Sequence, residues 1–239
     1  MNTYEKQVDK ELKRWYAGIV KSAGLIERTT GGIQKKMQNI VPQKLQNAIT
    51  IAIKAITKAV MSGSGFLTNL SNADTSGLSL AERDYIAMHH FKAYDKTATI
   101  QGIGFGMGGI LLGLADFPVF MSIKFKFIFD AAKIYGFDPE DPSERLFILH
   151  VFQLAFSGKE HRLNIFRKLE SWDENPHNTV DWEKFQIEYR DYIDIAKLLQ
   201  LMPVIGAAAG GAANHKLMRR LRENVMNCYR MRILGRRFK

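Results

Sequence analysis

Between Thr97 and Ala115 the chain runs for nineteen residues without a formal charge, and six of them are glycine. A second stretch, Leu198 to His215, is also free of formal charge and rich in alanine and glycine. No other feature restricts the fold as much. Each glycine costs a helix about 1 kcal/mol relative to alanine, so such a run needs close packing or lipid to offset it. Gly102, Gly106, Gly109 and Gly113 recur at spacings of three and four, which lines one helix face with a groove free of Cβ atoms. Gly206 and Gly210 repeat the pattern in the second stretch. Each stretch is near the roughly 20 residues of a bilayer-spanning helix. If both crossed, the basic flanks would share one side, as the positive-inside rule prefers, although long intervening loops obey that rule poorly. The glycine load, Gln101, Gln200, Pro203 and the small side chains of Ala207–Ala213 favour the other reading. In it, the two stretches are a glycine/alanine helix pair buried in a core.

The rest of the chain also reads as helix. Residues 2–27 carry Val8, Leu12, Trp15, Tyr16, Ile19 and Val20 toward a buried side, and Thr29–Gly32 break that helix. From Ile33 to about Met61, Leu45, Ile49, Ile53, Ile56 and Val60 mark one face, with Pro42 starting or kinking it. Ser62–Gly77 is a loop by its Ser, Gly and Asn content. Ser79 with Glu82 predicts a capping box for a helix to about Lys96. Asp116 and Pro118 open a further helix through Phe120, Ile123, Phe127 and Ile134 to Gly136. Its Ile123–Phe129 portion alternates like a strand, but the unbroken stretch is too long for one. Asp141 and Pro142 start the next helix, with Glu144 placed to close a capping box, and the apolar run Leu146–Phe156 is central and stops at Gly158. Lys159–Arg162 reads as a charged turn and Ser171–Asn178 as a loop. A long helix is expected from Thr179 through Trp182, Phe185, Tyr189, Tyr192 and Ile195 into the second uncharged stretch. The tail keeps a face of Leu217, Leu221, Val225 and Cys228. The expectation is an all-α, single multi-helix domain over 1–239, its two glycine/alanine-rich helices packed centrally. Within it lie a basic amphipathic part at 1–77, a core at 78–215 and a basic C-terminal helix and tail at 216–239.

With 46% hydrophobic and 24% charged residues, the chain has a globular composition. Its formal charge of +10 is unevenly placed. Arg28–Ala73 holds six basic residues and no acid, Asp74–His215 is net −5, and Lys216–Lys239 is net +8. Lys54, Lys58, Arg219, Arg220, Arg222, Arg236 and Arg237 are therefore the candidate contacts to an anionic membrane surface. A solvated helix face explains them equally well. Nucleic acid is disfavoured, because no helix-turn-helix, zinc-finger, RRM or KH pattern accompanies the charge. The single cysteine, Cys228, excludes an internal disulfide framework, and the polar N-terminus has no secretory apolar region, so an intracellular setting is expected.

Catalytic signals are absent. The glycine run lacks the lysine and the strand–helix context of a phosphate loop, and no nucleophile elbow or paired-histidine motif occurs. His150, inside an apolar helix, is a core histidine. Clustered carboxylates at Asp138, Glu140, Asp141 and Glu144 are better explained by capping than by a metal. Neither a metal nor a cofactor is expected. A soluble hydrolase using Asp116, Asp138 or Asp141, and a soluble carrier of an apolar ligand, are the alternatives to a non-enzymatic membrane-associated protein.

Three segments together resemble the EcsC family of bacterial proteins. They are the glycine run ending in Gly113–Pro118, the aromatic helix leading to Ile134–Pro139 with the acidic turn to Arg145, and Met202–Asn214 followed by the arginine-rich helix containing Tyr229 and Arg232. The resemblance covers roughly Tyr85 to Arg232 and extends to the opening helix with Trp15. It implies an all-α protein at or near the bacterial inner membrane. The family is named for a gene beside an ABC transporter, which makes such a transporter a partner to expect. The basic segments and uncharged stretches add the expectation of a peripheral or partly inserted place at the inner face. Lipid or another apolar ligand is the further partner to expect. The resemblance carries over no catalytic residues.

Overall fold

The computed structural model describes residues 1–27, 43–63, 65–66, 74–115, 117–174 and 207–238, with side chains except at 23–27, 43–46, 48–49, 101–120, 160, 207–211 and 213–214. The described helices are α1 (Thr3–Glu27), α2 (Gln43–Ser62), α3 (Leu80–Ala115), α4 (Phe117–Tyr135), α5 (Pro142–Phe156), α6 (Lys159–Glu170) and α7 (Ala207–Ile233), with a 3-10 turn at Trp172–Glu174. No β-strand occurs among the described residues, so the fold is all-α, as expected. The helix expected over 179–197, Gly206 and Asp116 lie outside the described residues.

Local chemistry explains most helix ends. Ser79 and Glu82 form the expected capping box: the Ser79 amide donates to Glu82 Oε2 at 2.8 Å and the Glu82 amide to Ser79 Oγ at 3.4 Å. No break follows Lys96. The capped helix and the glycine run are one helix of 36 residues, about 54 Å long at 1.5 Å per residue. The Thr97 hydroxyl returns to the Ala93 carbonyl at 3.0 Å, so no polar group interrupts the backbone ladder there. Gly136, at φ +90°, ends α4. The Phe137 amide reaches back to the Ala132 carbonyl at 2.9 Å, and the Gly136 amide to Lys133 at 2.9 Å, which is a Schellman closure. Asp141 caps α5 through the Ser143 amide at 2.8 Å.

Four details depart from the sequence reading. Glu144 does not close a capping box, because its carboxylate turns inward to Tyr229 and Arg232. Lys159–Arg162 is not a turn but the first part of α6, whose Ile165, Phe166 and Leu169 bury one face beneath a very polar surface. Val20, expected on the buried side of α1, is 39% exposed, since it lies about 100° round the helix from buried Ile19. The boundary at 215/216 falls inside α7, which continues unbroken.

The helices share one hydrophobic core. α7 packs along α3 and also meets α5, α4, α1 and α6, while α1 lies on α6 and α2 lies on α4 and α5. Leu217, Leu221, Val225 and Cys228 are buried, which makes the C-terminal helix central. His150 is buried as a core histidine, with Nδ1 2.9 Å from Gln153 Oε1 and its ring edge-on to Trp172. Among the described residues, no helix is long and apolar enough to cross a membrane. The surroundings of Gly102, Gly106, Gly109 and Gly113 on α3 fall among the side chains not described.

Candidate functional site

The last turns of α7 project two arginines in different directions, and each ends at a buried carboxylate. Arg230 donates from Nε to both oxygens of Asp84 on α3, at 3.0 Å each. Tyr4 from α1 donates to Asp84 Oδ2 at 2.6 Å, and Tyr135 from the end of α4 donates to Oδ1. Burial, reinforced by the Asp84 carboxylate, pushes the Tyr4 phenol up to about 12. Burial holds Tyr135 well above its ordinary value as well. For Arg230 burial works against the charge, and the hydrogen bond and charge of Asp84 outweigh it, raising the guanidinium further. Four helices therefore meet at one carboxylate.

Arg232 makes the second junction. Its Nη1 donates to Glu144 Oε2 at 2.7 Å, and its Nη2 donates to Asp173 Oδ1 at 2.7 Å. The guanidinium lies 3.8 Å from the Phe137 ring centroid and 4.2 Å from that of Phe147, a cation–π sandwich. Tyr229 donates to Glu144 Oε1 at 2.8 Å. Burial pushes the Glu144 carboxyl up, against the pull of Arg232 and of the Tyr229 hydrogen bond. Every oxygen of Asp84 and Glu144 thus has a donor, which suits them to holding helices together rather than to exchanging protons with a substrate.

Behind Arg230 a cleft of about 520 Å³ opens between α1, α3, α6 and α7. Arg14, Arg162, Arg222 and Arg230 line it, with Glu11, Glu223 and Trp15 among the other walls. Arg230 also donates to Glu11 Oε2 at 3.2 Å, which ties that acid into the Asp84 junction. Arg222 lies over the Phe91 ring at 4.9 Å. Chemically the cleft offers N–H donors and positive charge. Cys228 lies fully buried elsewhere, and burial holds its thiol far above the reactive range. No cluster of three or more metal-ligating side chains occurs among the described residues.

The residues singled out from sequence fall in several places. Gly102, Gly106, Gly109 and Gly113 share α3, and Gly210 lies on α7. Lys54 and Lys58 are exposed on α2, Arg219 is exposed on α7, and Arg220 and Arg222 are half-buried there. Arg236 and Arg237 are held within the molecule, by Asp9 at 2.7 Å and Glu174 at 2.8 Å. Asp138 and Asp141 are exposed in one turn, where Asp138 accepts from the Glu140 amide at 3.0 Å and Asp141 caps α5. Neither lines the cleft. Sequence reasoning missed Asp84 as a partner of α7, and Arg14 and Arg162 as walls of the cleft beside it, because spacing relates residues along one helix and not between helices. Lys124 is likewise invisible as a core residue, yet it is fully buried and burial pushes its ammonium well below its ordinary value.

Comparison with known proteins places this architecture. The chain matches the EcsC protein family over residues 6–234. It is 42% identical to Protein EcsC of Bacillus subtilis (strain 168) across 225 residues, which is 94% of each chain. It is 26% identical to the protein YdbA of the same organism across 226 residues, covering 85% of this chain and 83% of that one. No solved structure matches the chain. The family match spans both arginine junctions apart from Tyr4 and the whole of α7, so the chain belongs to the EcsC family.

Proposed function

We propose that the protein works without catalysis, as a helical protein peripherally bound to anionic lipid at the inner face of the bacterial membrane. Its protein partner on this reading is an ABC transporter, as the family resemblance implies. The observation that carries the reading is the outer face of α2. Ile51 is 69% exposed there, and Lys54 and Lys58 follow it on the same side of the helix, both exposed. No acid lies between Arg28 and Ala73 to oppose them. An exposed isoleucine flanked by lysines is the pattern of a helix lying at a lipid interface. Lysines near an anionic leaflet contribute about 1 kcal/mol each, so this face supports reversible attachment rather than insertion. The tail adds less than its net charge suggests, because Arg236 and Arg237 already pair with Asp9 and Glu174.

Co-sedimentation with vesicles tests the reading. The protein is expected to pellet with phosphatidylglycerol-containing vesicles at low salt, to remain free of pure phosphatidylcholine, and to be released at high salt. Ile51→Ser with Lys54→Gln and Lys58→Gln should weaken retention strongly. Binding that ignores both lipid charge and these substitutions would refute it.

A further inference from the structure

We propose that the cleft between α1, α3, α6 and α7 is a binding site for a phosphate group, held by Arg14, Arg162 and Arg222. This goes beyond membrane attachment and uses residues other than the α2 lysines. Three observations converge on the cleft. Its volume, about 520 Å³, lies within the range of small-molecule sites. None of the three arginines makes an ion pair with a carboxylate among the described residues, whereas Arg230, at the same wall, is held by Asp84 and Glu11. Two N–H donors on lining residues, Arg162 Nε and Trp15 Nε1, are buried without an acceptor among the described residues. Buried donors are almost always satisfied, so two beside one cleft mark a place where an acceptor belongs.

The chemistry selects the anion. A phosphate presents several oxygens and carries up to two negative charges, so it can engage more than one guanidinium fork and an indole N–H at once. A single carboxylate would leave part of this donor set unmatched. Nearby carboxylates only partly offset the charge of these cations. Burial, with repulsion from Arg220, pushes the Arg162 guanidinium down to about 10 against the pull of Glu223. Burial, with repulsion from Arg219, lowers Arg222 as well. Of the opposing acids, Glu223 acts on both arginines and is exposed, Asp95 acts on Arg222 and pairs with His215 at 2.7 Å, and Glu11 is engaged by Arg230 and by Gln7. A bound phosphate would relieve both the crowding and the orphaned donors.

The test uses the full chain and inorganic phosphate, with chloride at matched ionic strength as the control. Phosphate is expected to raise Tm in a saturable manner, while chloride does not. Arg162→Gln with Arg222→Gln should weaken phosphate binding by about tenfold or more, since hydrogen bonds to charged groups are lost. In phosphate-free buffer the same variant should melt no lower than the parent, because it removes mutually repelling charges. Arg14→Gln, at an exposed position, should also weaken binding without affecting folding. Glu223→Gln should tighten it. Vesicles containing phosphatidic acid identify the source: retention lost in the cleft variants but kept by Lys54→Gln with Lys58→Gln marks a lipid headgroup, and binding of free phosphate alone marks a soluble phosphate-bearing ligand. A phosphate response no larger than that of chloride, or one unchanged by the arginine substitutions, overturns the assignment.

Discussion

Replacing Arg232 by methionine isolates the energetics of a buried charge, because the new side chain retains much of the packing between Phe137 and Phe147. In the parent the Arg232–Glu144 pair is 2.7 Å apart, with side-chain exposures of 8% and 5%. Removing the cation leaves the Glu144 carboxylate buried with the Tyr229 hydroxyl as its remaining donor. Leaving one member of a buried pair uncompensated costs about 3–5 kcal/mol. Protonation sets an independent ceiling. Neutralising a glutamate of reference value about 4.3 costs about 3.7 kcal/mol at pH 7 but only about 1 kcal/mol at pH 5. In the variant the folded state binds the proton that the unfolded state has released, so stability falls as pH rises from 5 to 7. Urea denaturation at both values is the assay. With a slope of about 2 kcal/mol per molar, the variant's midpoint should drop by about 1.5–2 M at pH 7 and by roughly 0.5 M at pH 5. Adding Glu144→Gln should recover most of the loss at pH 7, because the amide oxygen still accepts from Tyr229. An equal loss at both pH values, or no recovery in the double variant, would refute the charge argument and assign the cost to lost contact with the two phenylalanines.

Other parts of the molecule give further expectations. Gly136→Ala should destabilise by more than about 1 kcal/mol in thermal melts, since φ there is +90° and an added Cβ would meet Arg83 Nη1 at 2.6 Å. That arginine cannot easily move, because it donates to the Ile134 and Thr75 carbonyls at 2.9 and 2.7 Å. Phe238→Ala removes a ring stacked on Tyr16 at 4.8 Å and should speed hydrogen exchange in α1, as followed by mass spectrometry. Alkaline titration should show stability lost between pH 10 and about 12, as the phenol of Tyr4, raised by burial and Asp84, finally ionises. Cys228 should resist thiol reagents until the protein is unfolded, because it is fully buried and its thiol is held protonated.

What could be read from sequence was what helices declare locally. The Ser79–Glu82 box, the Asp141 cap, the stop at Gly136 and the buried face from Leu217 to Cys228 all depend on residues within a few positions of one another. Glu144 shows where that reasoning ends. Its spacing from Asp141 suits a cap, but a partner eighty-eight residues away offers a stronger interaction. α6 was hidden for a related reason: its surface is so polar that only Ile165, Phe166 and Leu169 announce a buried side. The arginine cleft draws on helices far apart in the chain, so no spacing rule could assemble it.

The position of α7 has a consequence for how the protein is made. This helix emerges from the ribosome after every helix it joins, yet it supplies both cations that neutralise Asp84 and Glu144. Until it arrives, a nascent chain that closed α3 against α4 and α5 would bury those carboxylates without their arginines. Such a fragment gains little by collapsing early. Folding should therefore wait for α7 and proceed as one step, and C-terminally truncated chains ending before Ala207 should be aggregation-prone clients of chaperones rather than stable subdomains.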